Sequence, residues 1–177
     1  RPAYYCSGCP HNTSTRVLPG SLALAGIGCH VMAAAIFPES NKTITHMGGE
    51  GATWIGQAPF SGLRHIFANL GDGTYYHSGY LAIRAALAAN TNITYKILFN
   101  DAVAMTGGQP IDGPISVPMI ARQMAAEGVK RIAIVAEDPA RFARREGLPE
   151  IATLHPRAQL DAVQREQPGS CCGALRD

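Results

Sequence analysis

Apolar residues in this chain fall in short, nearly continuous runs rather than in the alternation expected of a sheet with one wet face. Leu22 to Cys29 reads as a short apolar strand that ends on glycine, and His65 to Leu70, Ile93 to Phe99 and Arg131 to Ala136 each read as a strand covered on both sides, the pattern of parallel sheets. Helical periods lie between them. From Ser78 to Asn90, Leu81, Arg84 and Leu87 recur on one helical face, with Ser78 as the cap and Asn90 as the stop. A second helix is expected over Ser116 to Glu127, entered at Pro114 or Ser116 and left at Gly128. Strand, loop, helix and strand in repetition predict an α/β fold: a mostly parallel sheet with helices on both faces and right-handed crossovers.

The flanks differ from this body. Residues 1–19 are polar and turn-rich, and the segment His46 to Gly51 sets three glycines around Glu50, a composition that lets backbone approach a ligand closely. After Pro139 the chain turns basic, and Leu160 to Glu166 is helix-like. The expected organisation is a main domain over 1–140 with a cysteine-bearing N-terminal segment, and a C-terminal appendage over 141–177 whose register on the body the pattern leaves open.

Composition narrows the class. The 177 residues suit one domain, with 46% hydrophobic and only 16% charged side chains against a usual charged share of roughly 25%. Disorder and a long coiled coil are excluded on that basis. A net charge of +2 implies no nucleic-acid partner. So few charges suggest a surface made to be covered by another chain or domain. No secretory signal pattern and no apolar run of about 18 residues occur, so the cytoplasm is the expected location. Cys6 and Cys9 form a CxxC pair with Cys29 downstream, while Cys171 and Cys172 lie near the other end. In a reducing compartment such spacing points to metal or iron-sulfur ligation before a disulfide. The turn-forming residues after Cys6, with no strand before them, argue against a thioredoxin-like pair.

Candidate chemistry sits at two strand ends. Gly71-Asp72-Gly73 follows the run His65 to Leu70, and Asn100 to Gln109 follows the run Ile93 to Phe99. Open α/β sheets bind ligands in the crevice outside the carboxyl edge. A carboxylate at Asp72, an amide oxygen at Asn100, a backbone carbonyl and phosphate oxygens would complete the oxygen octahedron that magnesium prefers. Gly71 and Gly73 permit a tight turn, and Gly107-Gly108 would free backbone N–H groups after Thr106 for phosphate oxygens. Sharing one cation requires the strand ends to lie within about 10 Å of each other, given coordination near 2.1 Å. No GxGxxG turn and no GxxxxGK[ST] occur, which sets aside those nucleotide folds. His11, His30, His46 and His77 lie in the surrounding loops and read as loop histidines, with one of them placing substrate or diphosphate as the alternative.

Together, CSGCPHNTST, AGIGCH, HMGGEGATWIG, NLGDGTYYHSG and ITYKILFNDAVAMTGGQP resemble the thiamine-diphosphate-binding domain of indolepyruvate ferredoxin oxidoreductase, within the 2-oxoacid:ferredoxin oxidoreductases, over about residues 3 to 140. The resemblance implies that Asp72, Asn100 and the Ala102 carbonyl hold magnesium. It also implies that Gly48, Gly49, Glu50, Gly71, Gly73, Thr106 and Gly107 line thiamine diphosphate. Cys6, Cys9 and Cys29 would be three thiolates of a [4Fe-4S] cluster, with Cys171 or Cys172 as the fourth. The implied reaction is oxidative decarboxylation of an aryl 2-oxoacid such as indolepyruvate, with electrons passing to ferredoxin and the acyl group to coenzyme A. The acid that activates the aminopyrimidine would come from a facing pyrimidine-binding domain or subunit, in a dimer, so this chain is expected to be a fragment that binds cofactor without turnover. The alternatives are a noncatalytic remnant or assembly module, a different thiamine-dependent 2-oxoacid enzyme, and a zinc-stapled binding module.

Overall fold

A computed structural model describes residues 2–166. Among these residues six strands form: β1 (Ala23–Ala25), β2 (Asn41–Ile44), β3 (Ile66–Gly71), β4 (Ile93–Leu98), β5 (Ile132–Ala136) and β6 (Ala152–Pro156). All their pairings are parallel, in two sheets ordered β2-β1-β3-β4 and β5-β6. The sheet is therefore parallel as expected but divided. The carboxyl ends of β4 and β5 face each other across a cavity of about 30 Å³, lined by Leu98 and Val135 and by Pro10, His11 and Ser14 of the N-terminal segment.

Helices α1 (His11–Ser14), α2 (Ala33–Ile36), α3 (Ala52–Gln57), α4 (Asp72–Thr74), α5 (Tyr80–Ala88), α6 (Val117–Ala126) and α7 (Leu160–Glu166) flank the sheets. Local sequence explains both ends of α6 and the C-terminal end of α5. Ser116 caps α6 by accepting from the Met119 N–H at 3.4 Å, and Pro118 sits in the first turn, where its missing N–H is harmless. At its other end the N–H groups of Gly128 and Val129 return to the carbonyls of Ala125 and Met124, with Gly128 at φ 89°. Asn90 closes α5 in the same way at φ 48°, through Asn90 N–H to Leu87 and Thr91 N–H to Ala86. The helix begins earlier than Ser78, however. Asp72 already lies in the first turn, and a π-helical stretch, Tyr75–Gly79, joins α4 to α5. Gly79 permits this course, since a Cβ there would sit 2.7 Å from Leu70 Cδ1.

The strands sort their side chains onto two faces. Leu24, Ile66, Ala68, Leu70, Ile93, Tyr95 and Ile97 join Trp54 of α3, Ile83 of α5 and Ile120 and Met124 of α6 in the main core, together with Ile132 and Ile134. The opposite face carries Phe67, Asn69, Thr94 and Lys96, all buried, beneath the N-terminal segment. Lys96 lies on an edge strand but is only 1% exposed. Its Nζ donates to the Arg16 carbonyl at 2.7 Å and stands 5.7 Å from the Phe67 ring centre. Residues 141–166 are joined to the body in a definite register: β6 pairs with β5 from Ile132–Ala152 to Ala136–Pro156, and Leu160 and Val163 of α7 pack on Ala133 and Val135. Among the described residues no helix is long and apolar enough to cross a membrane.

Candidate functional site

Parallel pairing of β3 with β4 carries both chains to one edge, where Gly71 stands opposite Leu98. The next residues meet directly. Asp72 is 3% exposed; its Oδ1 accepts from the Gly73 N–H at 2.9 Å, and its Oδ2 accepts from the N–H groups of Asn100 and Asp101 at 2.7 and 2.6 Å. One carboxylate thus ties the two strand ends together, well inside the limit for sharing a cation. Asp101 at φ 56° and the Asn100 Oδ1, which accepts from the Ala102 N–H at 3.2 Å, shape the turn that aims these amides. Burial raises the Asp72 pKa, opposed by the amides of Asn100, Asp101 and Gly73.

These residues line a cleft of about 560 Å³, a volume typical of cofactor sites. Gly71, Asp72, Gly73, Asn100, Ala102 and Thr106 are all in its wall. Ile27, Met47, Tyr76 and Met105, each 40–46% exposed, also line it and leave an apolar margin. The segment after Asn100 folds back on itself. The Val103 N–H donates to the Gln109 carbonyl at 2.8 Å, and the Gly108 N–H donates to the Val103 carbonyl at 3.0 Å. The Gly108 N–H is therefore engaged in this turn rather than free for phosphate, a correction to the expectation. Gly107, at φ 128°, supplies backbone freedom to the turn and does not line the cleft, whereas Thr106 does, holding the Gln109 Nε2 at 2.8 Å.

The glycine loop before α3 is placed differently from Asp72. Met47 reaches the cleft, while Gly48, Gly49 and Glu50 are not in its wall. Glu50 is fully buried: its Oε2 accepts from the Gly48 N–H at 2.7 Å, and its Oε1 has no hydrogen-bond partner among the described residues. It fills the space that Gly26 leaves open, where a Cβ would stand 1.8 Å from Oε1. Burial raises its pKa, opposed by nearby amides and by His46. His30, one of the four histidines read from sequence as loop residues with a ligand-placing role as the alternative, is both buried and in the cleft wall, with Nε2 unpartnered among the described residues. Burial, reinforced by His11, lowers its pKa to about 3.

The cysteines are near one another without forming a ligand set. Burial raises the Cys29 pKa, and the charges of Cys9 and Cys6 add to the effect. Cys9 Sγ turns instead to His11 Nδ1 at 3.3 Å. Among the described residues no three His, Cys, Asp or Glu side chains are gathered to hold a metal ion, so the thiols as arranged do not fit a cluster or a zinc staple. Cys171 and Cys172 lie outside the described residues. The strand-end cleft does fit a magnesium-held diphosphate. Its buried carboxylate has amide donors but no ion pair among the described residues, and a divalent cation at the lone pair left on Oδ1 would offset the charge that burial penalises.

A parallel α/β fold with such a cleft at the carboxyl edge defines a class: an α/β cofactor-binding domain. Over residues 26–168 the chain matches the thiamine pyrophosphate enzyme family in its C-terminal TPP-binding domain, and it belongs to that family. It is similar to the indolepyruvate oxidoreductase subunit IorA of Thermococcus kodakarensis, 28% identical over 136 aligned residues that cover 67% of this chain and 21% of that protein. The same subunit of Methanothermobacter thermautotrophicus strain Delta H is 26% identical over an alignment covering 100% of this chain and 34% of that protein. The chain thus spans between a fifth and about a third of the length of these curated relatives. Its fold is shared with the 2-oxoglutarate:ferredoxin oxidoreductase from Magnetococcus marinus, solved with 2-oxoglutarate, coenzyme A and succinyl-CoA bound. The TM-score is 0.67 at 19% identity, over 99% of this chain and 64% of that one.

Proposed function

We propose that this chain is the coenzyme-holding part of a thiamine-dependent 2-oxoacid:ferredoxin oxidoreductase, binding thiamine diphosphate through magnesium at the Asp72 and Asn100 strand ends. The observation that carries the reading is the Asp72 carboxylate accepting from both Asn100 and Asp101 N–H groups, which brings the two halves of the site into one cleft. Bound thiamine diphosphate would supply the electron sink that lets a 2-oxoacid lose carbon dioxide. The chain's own part is positional. Asp72, the Asn100 side chain and the Ala102 carbonyl offer oxygens to the cation, Gly73 keeps the floor open, and Thr106 offers a hydroxyl at the cleft wall.

The names of the indolepyruvate oxidoreductase relatives support a 2-oxoacid of the indolepyruvate type as substrate, and ferredoxin and coenzyme A are the acceptors that the sequence resemblance implies for the whole enzyme. The apolar margin of Ile27, Met47, Tyr76 and Met105 suits closure by a facing domain, which would also bring the acid for the aminopyrimidine. No step is assigned to an iron-sulfur cluster, because the three described thiols are not gathered for one.

Calorimetric titration of the chain with thiamine diphosphate, with and without magnesium, tests the reading. About one equivalent should bind only with magnesium, and Asp72→Ala should weaken binding by more than about a hundredfold. Equal affinity without magnesium and in the Asp72→Ala chain would overturn it.

A further inference from the structure

Buried polar atoms are almost always hydrogen-bonded, so each orphan asks for a partner. Among the described residues, the buried side-chain atoms without one belong to His30, Asn41, Glu50, Asn69 and Gln164. Of these five residues, His30 alone lines the cleft. The short 3-10 turn Cys29–Met32 holds it there, and two glycines make room for its ring. A Cβ at Gly28 would stand 2.8 Å from the ring Cε1 and 2.9 Å from Nδ1. At Gly71 the corresponding distances would be 3.8 and 3.9 Å. The Cε1–Nδ1 edge is thus seated on backbone directly before Asp72. Nε2 lies further from Gly28, at 3.9 Å from the same Cβ position, and is the ring atom left without a partner.

We infer that His30 is a positioning residue for the diphosphate, its Nε2–H donating to a phosphate oxygen beside the cation held by Asp72. The inference rests on the cofactor reading given above. Magnesium prefers oxygen ligands, so an imidazole next to this carboxylate is better suited to the anion than to the metal. A neutral imidazole is also a suitable donor for phosphate oxygen, and satisfying it on binding removes the cost of an unpaired buried N–H.

The test pairs two probes, magnesium with thiamine diphosphate and magnesium with inorganic pyrophosphate, titrated into the wild-type chain and into His30→Phe and His30→Gln. Phe keeps the ring volume without the donor, and Gln restores an N–H at the Nε2 position. Both probes should bind His30→Phe about ten- to a hundredfold more weakly, and His30→Gln should recover most of the loss. Two-dimensional imidazole nitrogen NMR of the wild-type chain reads the same contact without any substitution, and pyrophosphate should move the His30 Nε2 resonance. Unchanged affinity in His30→Phe overturns the inference, as does a loss confined to thiamine diphosphate or a His30 Nε2 resonance that stays put while pyrophosphate saturates the chain. In each of those outcomes the cofactor reading survives, because wild-type binding is intact. A wild-type chain that binds neither probe overturns both.

Discussion

The two faces of the four-stranded sheet solve burial in different ways. One presents Ile66, Ala68 and Leu70 of β3 and Ile93, Tyr95 and Ile97 of β4 to α3, α5 and α6, and is apolar apart from the Tyr95 hydroxyl, which donates to the Ala82 carbonyl at 3.2 Å. The other presents Phe67, Asn69, Thr94 and Lys96 to the N-terminal segment and satisfies them piecemeal: Lys96 on Arg16, Thr94 on His65 at 2.8 Å, and Asn69 on nothing among the described residues. Alternating side chains along the same two strands therefore serve different ends. The first face supplies folding energy by area, while the second carries polar groups whose burial costs stability. The cleft opens at the carboxyl edge, where β3 and β4 end and Asp72 and Asn100 begin.

The widest separation between the faces should come from truncating the apolar one. Ile97→Ala, at a fully buried core position, should cost about 3 kcal/mol in urea unfolding. Asn69→Leu, on the opposite face of the neighbouring strand β3, should instead raise stability by about 1 kcal/mol by removing two amide atoms unpartnered among the described residues at similar volume. A loss there would show that the amide has a partner and would dissolve the contrast. The smallest effect is in pH dependence. Burial lowers the His65 pKa to about 4, so the unfolded chain takes up a proton near 6.5 and the folded one only near 4. Stability from this group is present above 6.5 and lost as pH falls through that window. Asp72 and Glu50 act in the opposite sense: their raised values make the folded chain take up protons first, so their contribution falls as pH rises through the range above the ordinary carboxyl value. Unfolding curves at stepped pH should show a shallower acid-side decline in His65→Phe than in the wild-type chain. An unchanged slope would remove His65 from the account.

How far these features were legible follows the same division. β3, β4 and β5 were readable because both faces bury, which leaves unbroken apolar runs, and the ends of α5 and α6 were readable from Asn90, Ser116 and Gly128. β2 was not, since Asn41–Ile44 is an edge strand with only Asn41 buried, and its residues show neither a run nor an alternation. β6 hides for a related reason: only Ala152 is buried, and Pro156 ends it. Asp72 and Asn100 could be paired from sequence because each directly follows a recognisable strand. The loops gave less, because glycine content says that backbone can approach a ligand but not which side chain turns inward. Met47 therefore reaches the cleft while Glu50 turns to Gly26, and His30 becomes prominent only once its ring is seen against Gly28 and Gly71.

The claim on which the rest depends is that one cation joins Asp72 to a diphosphate. Manganese can stand in for magnesium and makes the contact visible by pulsed electron paramagnetic resonance. With thiamine diphosphate present, the wild-type chain should hold one manganese ion showing strong phosphorus-31 coupling, and Asp72→Ala should leave the spectrum of free manganese complexes. A protein-bound ion without phosphorus coupling, or the same coupled signal in Asp72→Ala, would contradict the account.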